Sequence, residues 1–405
     1  MEPLYPVDES GELEELATTL IRSAGALSNA SNPIIRNAVA GLIRPMNSYY
    51  SNLLEGHDTH PLDIEKALKS DFSNDKRRRD LQLEAKAHIN LHEAVTLEWK
   101  SNKLIHSSPY STHYILGLHE RFYAHLPTDF LTVISQEGEE KQVCPGKIRS
   151  EEVRVSNHIA PAAQAVPDFL DRFESGYAPS HVSNKQTIKR IINIGAAHHR
   201  LSWIHPFLDG NGRVVRLFSD ACFMFDDLDA SGIWSISRGL ARNNTEYYER
   251  LSNADMKRHG DHDGRGNLSN KMLVEFCRFF LTTAIDQIQF MHNSLEMDKM
   301  TDRVKAFVNQ MIVYKGWRSE TTFLLTDIFV KGKISKTDAM RLTNLSDKTL
   351  KLITDVLTTE ELIQPIKEGK EMTFHARFPV KYSPLLFPNL YPSSKEADLL
   401  NHVFA

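Results

Sequence analysis

The sequence predicts a mostly α-helical protein with a small β-hairpin flap near its middle and a winged-helix arrangement at its C-terminal end. Three observations carry this expectation. Apolar residues recur at helical spacing over most of the chain, Gly, Pro and β-branched residues break that spacing between Asp129 and Pro161, and the stretch beyond about residue 300 reads helix, turn, helix, hairpin. At 405 residues the chain has room for two to three domains of about 150 residues each. The shifts in pattern place them at 1–75, 76–300 and 301–405.

Leu13, Leu16, Leu20 and Ile21 define a first amphipathic helix, and Ile34, Ile35, Val39, Leu42 and Ile43 resume the period after the break SNASNP. Lys76, Arg77, Arg78 and Arg79, bracketed by Asp75 and Asp80, read as the solvated start of another helix. Helices follow over Asp80 to Trp99 and Ser111 to His125. Val153 and Val155 alternate with polar neighbours ahead of Ser156, Asn157 and His158, which predicts the hairpin. Asp168 to Glu174 begins a further helix. Lys185 to Ile204 is apolar along one side through Ile188, Ile191, Ile192, Ala196 and Leu201, as expected for the buried centre of a domain. Helical spacing returns from Asn267 to Met300. Beyond it, Ser335 and Asp338 form a capping box, and Ser346 caps a helix whose apolar face is Leu350, Ile353, Val356 and Leu357. Leu362, Ile363 and Ile366, then Met372, Phe374 and Ala376, flank Gly369 as two strands.

Composition narrows the function classes. Hydrophobic residues make up 41% and charged residues 25%, which is ordinary for a folded globular chain. Forty-eight Lys and Arg against 52 Asp and Glu leave a net charge of −4, so no global attraction to nucleic acid or anionic lipid is expected. Cys144, Cys222 and Cys277 offer neither a disulfide framework nor a CxxC knuckle. The acidic start MEPLYPVDESGELEEL lacks the basic and apolar regions of a signal peptide, and no apolar run approaches the roughly 18 residues of a membrane span. A cytoplasmic protein without a membrane partner is the expectation.

The chemistry concentrates in His205, Pro206, Phe207, Leu208, Asp209, Gly210, Asn211, Gly212, Arg213, Val214, Val215 and Arg216. Pro206 disfavours helical geometry at His205, so the preceding helix should end there and present the imidazole from an extended residue. Gly210, Asn211 and Gly212 tolerate positive φ, which turns successive N–H groups into an anion nest. Arg213 and Arg216 share one face of the next helix, above an N-terminus that itself favours phosphate. Asp209 stands where a carboxylate holds Mg²⁺ against phosphate oxygens. Together they make a polyphosphate cradle with a metal ligand and an adjacent base. His198 and His199 point to different helix faces and read as core or surface histidines. Asp261, Asp263 and Gly264 lack an acid at the twelfth loop position, Met272, so calcium is rejected.

At these residues the sequence resembles the Fic family, whose motif HxFx[DE]GNGRxxR it matches at every position. The lead-in AAHHRLSWIHPF, the earlier GKIRSEEVRV and the later SRGLARNNTEYYERL are also similar to Fic segments. The resemblance implies a Fic-type helical core that transfers AMP from ATP to a Ser, Thr or Tyr hydroxyl of a target protein, the chain itself included. It implies His205 as general base, Asp209 as the Mg²⁺ ligand, and Gly210, Asn211 and Gly212 on the phosphates. Arg213 and Arg216, with Val214 and Val215 between them, would close on the β and γ phosphates. Asn243 and Tyr247 or Tyr248 would meet the adenosine end, and the Val153–Val155 hairpin would pair with the target segment by strand addition. A homodimer is suggested as well.

Ser51, Asn52, Leu53, Leu54, Glu55 and Gly56 match the [ST]xxxE[GN] inhibitory motif of the same family. Ser51 and Glu55 share a helix face, and Gly56 is a natural helix stop. The resemblance implies that Glu55 pairs with Arg216 and keeps ATP in an unproductive pose; Glu55 positioning a water to remove AMP is a further activity it leaves open. A second function class also stays open, a nucleotide-sensing, DNA-associated regulator using the C-terminal winged helix. There Lys331, Lys333, Lys336, Arg341, Lys348 and Lys351 are offset by Asp338, Asp347, Asp355 and Glu360, a balance that suits protein contact at least as well as DNA.

Overall fold

A computed structural model describes residues 1–101, 108–134, 138–155, 158–178, 187–229 and 232–404. The apolar spacing becomes helix at Glu12–Asn29 (α1), Pro33–Leu54 (α2), Pro61–Leu68 (α3), Lys76–Lys100 (α4) and Thr112–Tyr123 (α5). Four short strands follow, Thr132–Ile134 (β1), Glu140–Gln142 (β2), Arg154–Val155 (β3) and His158–Ile159 (β4). They pair as two antiparallel hairpins, with Val133 opposite Lys141 and Val155 opposite His158. The second is the expected hairpin; its tip, Ser156 and Asn157, lies outside the described residues.

Val166–Tyr177 (α6), Thr187–Ile204 (α7), Asn211–Phe225 (α8), Ile236–Arg242 (α9), Asn244–Asn253 (α10) and Asn270–Leu295 (α11) come next. Then follow Met297–Lys315 (α12), Thr321–Lys331 (α13), Lys333–Ser335 (β5), Lys336–Thr343 (α14), Asp347–Thr359 (α15), Ile363–Glu368 (β6) and Glu371–Ala376 (β7). The chain closes with Ser383–Leu386 (α16) and Ser393–Phe404 (α17). Contacts divide it into two compact units, each assembled from separated stretches: Met1–Gly25, Asn47–Thr59 and Phe72–Ile288, and Ala26–Met46, His60–Asp71 and Gln289–Ala405. Two stretches expected in the N-terminal block, Ala26–Met46 and His60–Asp71, fall in the second unit.

In the first unit α7 is the central helix. Its Ile191, Ile194, Ala197 and Leu201 are buried, as are Val214, Leu217, Phe218 and Ala221 of α8, which packs on it. Gly195 lets α7 approach α11 closely, since a Cβ there would sit 3.3 Å from Phe280. Removing this much apolar side chain from water stabilises the pair by about 1.5–3 kcal/mol per large residue, so the loop that joins α7 to α8 hangs from two well-buried helices.

In the second unit β5, β7 and β6 form an antiparallel sheet in that order, and helix, turn, helix, hairpin follow one another as expected. Ser335 accepts from the Asp338 N–H at 3.0 Å and Ser346 from Thr349 at 3.3 Å, so both helices start at the residues that cap them. Asn344 takes a φ of 53° to make the turn between them. Leu350, Ile353 and Leu357 of α15 are buried, whereas Val356, expected on the same face, is 43% exposed beside Leu352. Among the described residues no helix is long and apolar enough to cross a membrane.

Candidate functional site

The site is built where α7 stops and α8 starts. The His205 N–H still donates to the Leu201 carbonyl at 3.1 Å, but its φ is 50°, in the left-handed region. This corrects the expectation of an extended residue: Pro206 does exclude right-handed helix at His205, and the chain takes the left-handed turn that commonly ends a helix instead. For a residue with a side chain that conformation costs about 1–2 kcal/mol. Arg149 holds it in place. Its Nε donates to the His205 carbonyl at 2.8 Å, its N–H to Pro206 at 2.9 Å, and its Nη atoms to Glu151 at 2.7 Å and Pro161 at 2.6 Å. The buried Arg149 thus ties the loop to the base of the second hairpin.

Asn211 closes the loop on itself. Its Oδ1 accepts from the Phe207 N–H at 2.9 Å and its Nδ2 donates to the Phe207 carbonyl at 2.8 Å. The Phe207 ring is fully buried and stacks on His119 with 3.9 Å between centroids. Of the predicted nest only Gly210 has positive φ, 77°, and it caps α8, while Asn211 and Gly212 already lie in the helix. Gly212 is required for space: a Cβ there would stand 2.2 Å from Glu55 Oε1. The N–H groups of the first turn have no intrahelical acceptor and carry the positive end of the helix dipole.

Arg216 is 2% exposed at its side chain and is engaged by the end of α2: Nε donates to Ser51 Oγ at 2.9 Å, and Nη2 donates to the Ser51 carbonyl at 2.9 Å and to Glu55 Oε1 at 2.5 Å. Local structure aims Glu55. The His57 N–H bonds the Asn52 carbonyl at 2.9 Å, the Gly56 N–H bonds Leu53 at 3.0 Å, and Gly56 has a φ of 82°. This is a Schellman stop, which needs a left-handed residue after the cap and so leaves Glu55 as the capping residue facing α8. Burial pushes the Glu55 carboxyl upward, but Arg216 and Arg213 outweigh it and hold it below its usual range.

Arg213 lies elsewhere. Its Nη1 donates to Glu84 Oε1 at 2.8 Å and its Nη2 to Asp209 Oδ2 at 3.4 Å, with the guanidinium 4.9 Å from the Phe122 ring centroid. Asp209 Oδ2 also accepts from the Tyr123 hydroxyl at 2.7 Å. Burial raises the Asp209 carboxyl, Arg213 and Tyr123 lower it further, and the net shift is downward. An ionised carboxylate whose side chain is 40% exposed, one turn from a helix N-terminus, suits a Mg²⁺ ligand.

A cavity of about 510 Å³ opens along the start of α8. His205, Asn211, Gly212, Val215, Arg216, Tyr247 and Glu55 all line it, together with His158, Tyr248 and Asp255. Its volume is in the range of nucleotide-sized ligand sites. Asp209, Gly210, Arg213, Val214 and Asn243 are not in its lining: Val214 is in the core, and Asn243 is exposed with its amide on the Gly239 carbonyl at 3.1 Å. Tyr247 is buried, its hydroxyl 2.9 Å from His198 Nε2, and Tyr248 donates to the Leu54 carbonyl at 2.6 Å. His198 and His199 have protein partners, Ser219 at 2.8 Å for the first and Asp255 at 3.1 Å for the second, in keeping with core histidines.

Burial lowers the His205 imidazole to about 4, with His158 and Arg149 adding to the effect, so the ring is neutral near pH 7. In the neutral ring one nitrogen carries the proton and the other is an acceptor. His158, on β4, bonds Asp255 through Nδ1 at 2.9 Å and the Trp203 carbonyl through Nε2 at 2.9 Å, fastening the hairpin over the cavity. Sequence reasoning singled out none of Arg149, Tyr123, Glu84, His158 as a ligand-side residue or Asp255. Each acts through tertiary partners far away in the chain, and no local spacing marks them.

Residues 109–222 match the family model described as Fic/DOC. A protein adenylyltransferase Fic of Nematostella vectensis is 35% identical over 117 residues, 29% of this chain and 24% of its own length. Its namesake in Drosophila erecta is 35% identical over 79 residues, 20% of this chain and 15% of its own length. The match thus spans about a quarter or less of these curated relatives. A Fic domain containing signaling protein from Bacteroides thetaiotaomicron superposes with a TM-score of 0.52 at 16% identity, over 69% of this chain and 97% of its own. Fic-1 of C. elegans does so with a TM-score of 0.50 at 15% identity, over 71% and 74%; both are likenesses of fold. With the motif from His205 to Arg216 on the loop and helix start described above, residues 109–222 are similar to the Fic/DOC family.

Proposed function

We propose that this chain is a protein adenylyltransferase, which moves AMP from ATP to a Ser, Thr or Tyr hydroxyl of a target protein and is held in check by Glu55 on Arg216. The observation that carries the reading is that a neutral imidazole, a helix N-terminus and a buried guanidinium, His205, Asn211–Gly212 and Arg216, line one cavity. The relatives named adenylyltransferase support the reaction class.

In the reaction the target oxygen bonds to the α-phosphorus while the bond from that phosphorus to the oxygen bridging to the β-phosphate breaks, and pyrophosphate leaves. The hydroxyl proton passes to the unprotonated nitrogen of His205, a contribution of about 10² to 10⁴ in rate. The N–H groups at the start of α8 receive phosphate oxygens, and Arg216 binds the terminal phosphate once Glu55 withdraws. Asp209 would hold Mg²⁺, which when bound offsets charge on the phosphates and the departing pyrophosphate. The β3–β4 hairpin, fastened by His158 and Arg149, offers its backbone to the target segment.

Glu55 shares the cavity wall with His205, and this favours a second activity at the same site, removal of AMP by a water that Glu55 orients. The surface of α15 does not favour the DNA-associated alternative, because exposed Leu352, Asp355 and Val356 interrupt Lys348 and Lys351.

Incubation with labelled ATP and Mg²⁺ tests the proposal. Label should enter protein with Glu55→Gly and disappear when His205→Ala is added. No label on any protein in cell extract with Glu55→Gly would overturn it.

A further inference from the structure

Glu84, on α4, is a buried carboxylate between Arg213 and His57, whose imidazole it raises above the usual range. Its Oε1 accepts from Arg213 Nη1 at 2.8 Å, and its Oε2 lies 2.5 Å from His57 Nδ1, two residues after Glu55. The side chains of Glu84 and Arg213 are 7% and 6% exposed, whereas Asp209, the other carboxylate in reach of Arg213, is 40% exposed and farther away at 3.4 Å. A guanidinium this deeply buried requires a compensating carboxylate. The shorter, drier pair is the one with Glu84. Asp209 therefore keeps charge for another cation.

We propose that Glu84 is a positioning residue for the transfer reaction: by neutralising Arg213 it prevents that guanidinium from closing on Asp209 and so keeps the Asp209 carboxylate available to Mg²⁺. The proposal rests on the reading of Asp209 as the metal ligand. Arg213 cannot leave the pair easily, because the Phe122 ring covers it and the Glu84 carboxylate is itself held in the ionised form by His57 and Arg213 against the pull of burial. With Glu84 made neutral, Asp209 becomes the remaining carboxylate within reach of a positive charge that stays buried. Guanidinium and divalent cation then compete for the same oxygens. Groups one shell out from a metal commonly change its affinity by about 10- to 100-fold when altered.

The test uses the full chain with Glu55→Gly, so that the brake is out of the way, and calorimetric binding of a non-hydrolysable ATP analogue as Mg²⁺ is varied. Glu84→Gln should raise the half-saturating Mg²⁺ concentration roughly tenfold while analogue affinity at saturating Mg²⁺ stays within about twofold. In turnover the same split should appear as a defect that excess Mg²⁺ repairs. Glu84→Asp keeps the charge but withdraws it by one methylene, and should fall between the two; it decides the matter if Glu84→Gln does not fold. An unchanged Mg²⁺ requirement in the folded variant overturns the proposal, and so does a defect that persists at saturating Mg²⁺, which is what a merely structural role would give. Asp209→Ala in the same background separates the two readings. If the parent shows no Mg²⁺ requirement, or if Asp209→Ala leaves it intact, the metal assignment falls and takes Glu84 with it; if Asp209→Ala abolishes it and Glu84→Gln does nothing, Glu84 alone is wrong.

Discussion

Glu55 and Arg216 meet with 2.5 Å between Oε1 and Nη2, one at the stop of α2 and the other a turn and a half into α8. Arg216 also bonds the Ser51 side chain and carbonyl, so its Nε and Nη2 are satisfied without solvent. A phosphate that enters must displace at least the carboxylate.

Glu55→Gly should therefore raise AMP transfer by about 10- to 100-fold, the equivalent of one charge-assisted hydrogen bond of about 1.5–3 kcal/mol. Ser51→Ala removes one neutral-acceptor bond and should raise it only a few-fold. Labelled AMP incorporation at fixed ATP measures both; equal rates in Glu55→Gly and the unaltered chain would remove the brake from the account.

The rate profile against pH reports on His205. Its base form is the active one, and with the imidazole lowered to about 4 that form is already complete at neutral pH. Transfer by the Glu55→Gly chain should stay level from about pH 8 to pH 5 and decline only below that, whereas a solvated histidine would show its acid limb near pH 6.5. Initial rates at saturating ATP and Mg²⁺ across this range make the distinction.

Much of this site was legible in the sequence because its chemistry is local. Pro206 did end α7, Gly210 did take a left-handed conformation, and the Ser51-to-Gly56 segment did stop a helix with the acid facing Arg216. Two readings failed for reasons that spacing does not contain, and a third residue has a partner that spacing could not name. His205 is left-handed because Arg149 anchors its carbonyl from the hairpin side, Gly212 is a matter of clearance for Glu55, and Arg213 pairs with a glutamate on α4. In each case the deciding partner belongs to a different element, and only packing brings it near.

Five buried histidines should make the first unit lose stability in acid, against the opposite contribution of Asp220, whose carboxyl burial raises to about 7. Burial lowers His88, His119, His198, His199 and His205, so the folded form holds them neutral while the unfolded chain protonates them near 6.5. The unfolded state then binds more protons, and stability falls as pH drops through 6.5 toward 4. His57 and His158 act in the opposite sense, since Glu84 and Asp255 raise them and their contribution is full below 6.5 and fades above it. The lowered group is the larger. His205 alone accounts for on the order of 2 kcal/mol at pH 5. Urea unfolding at pH 7 and pH 5 should show the loss, and His205→Asn should recover part of it.

Gly210 and Gly212 should respond differently to an added methyl group. At Gly210 the φ of 77° and a Cβ 3.1 Å from the Tyr123 ring make Gly210→Ala costly whatever Glu55 does, by about 1–2 kcal/mol for the backbone alone. At Gly212 the backbone is helical, and the obstacle is Glu55 Oε1 at 2.2 Å, the far end of a side chain that can move away only by giving up Arg216. Gly212→Ala should thus cost more in the unaltered chain than in Glu55→Gly, with a coupling of about 1 kcal/mol, while Gly210→Ala costs the same in both. Unfolding of the four variants measures that cycle; zero coupling at Gly212 would mean that the Glu55 carboxylate does not rest against the start of α8 in solution.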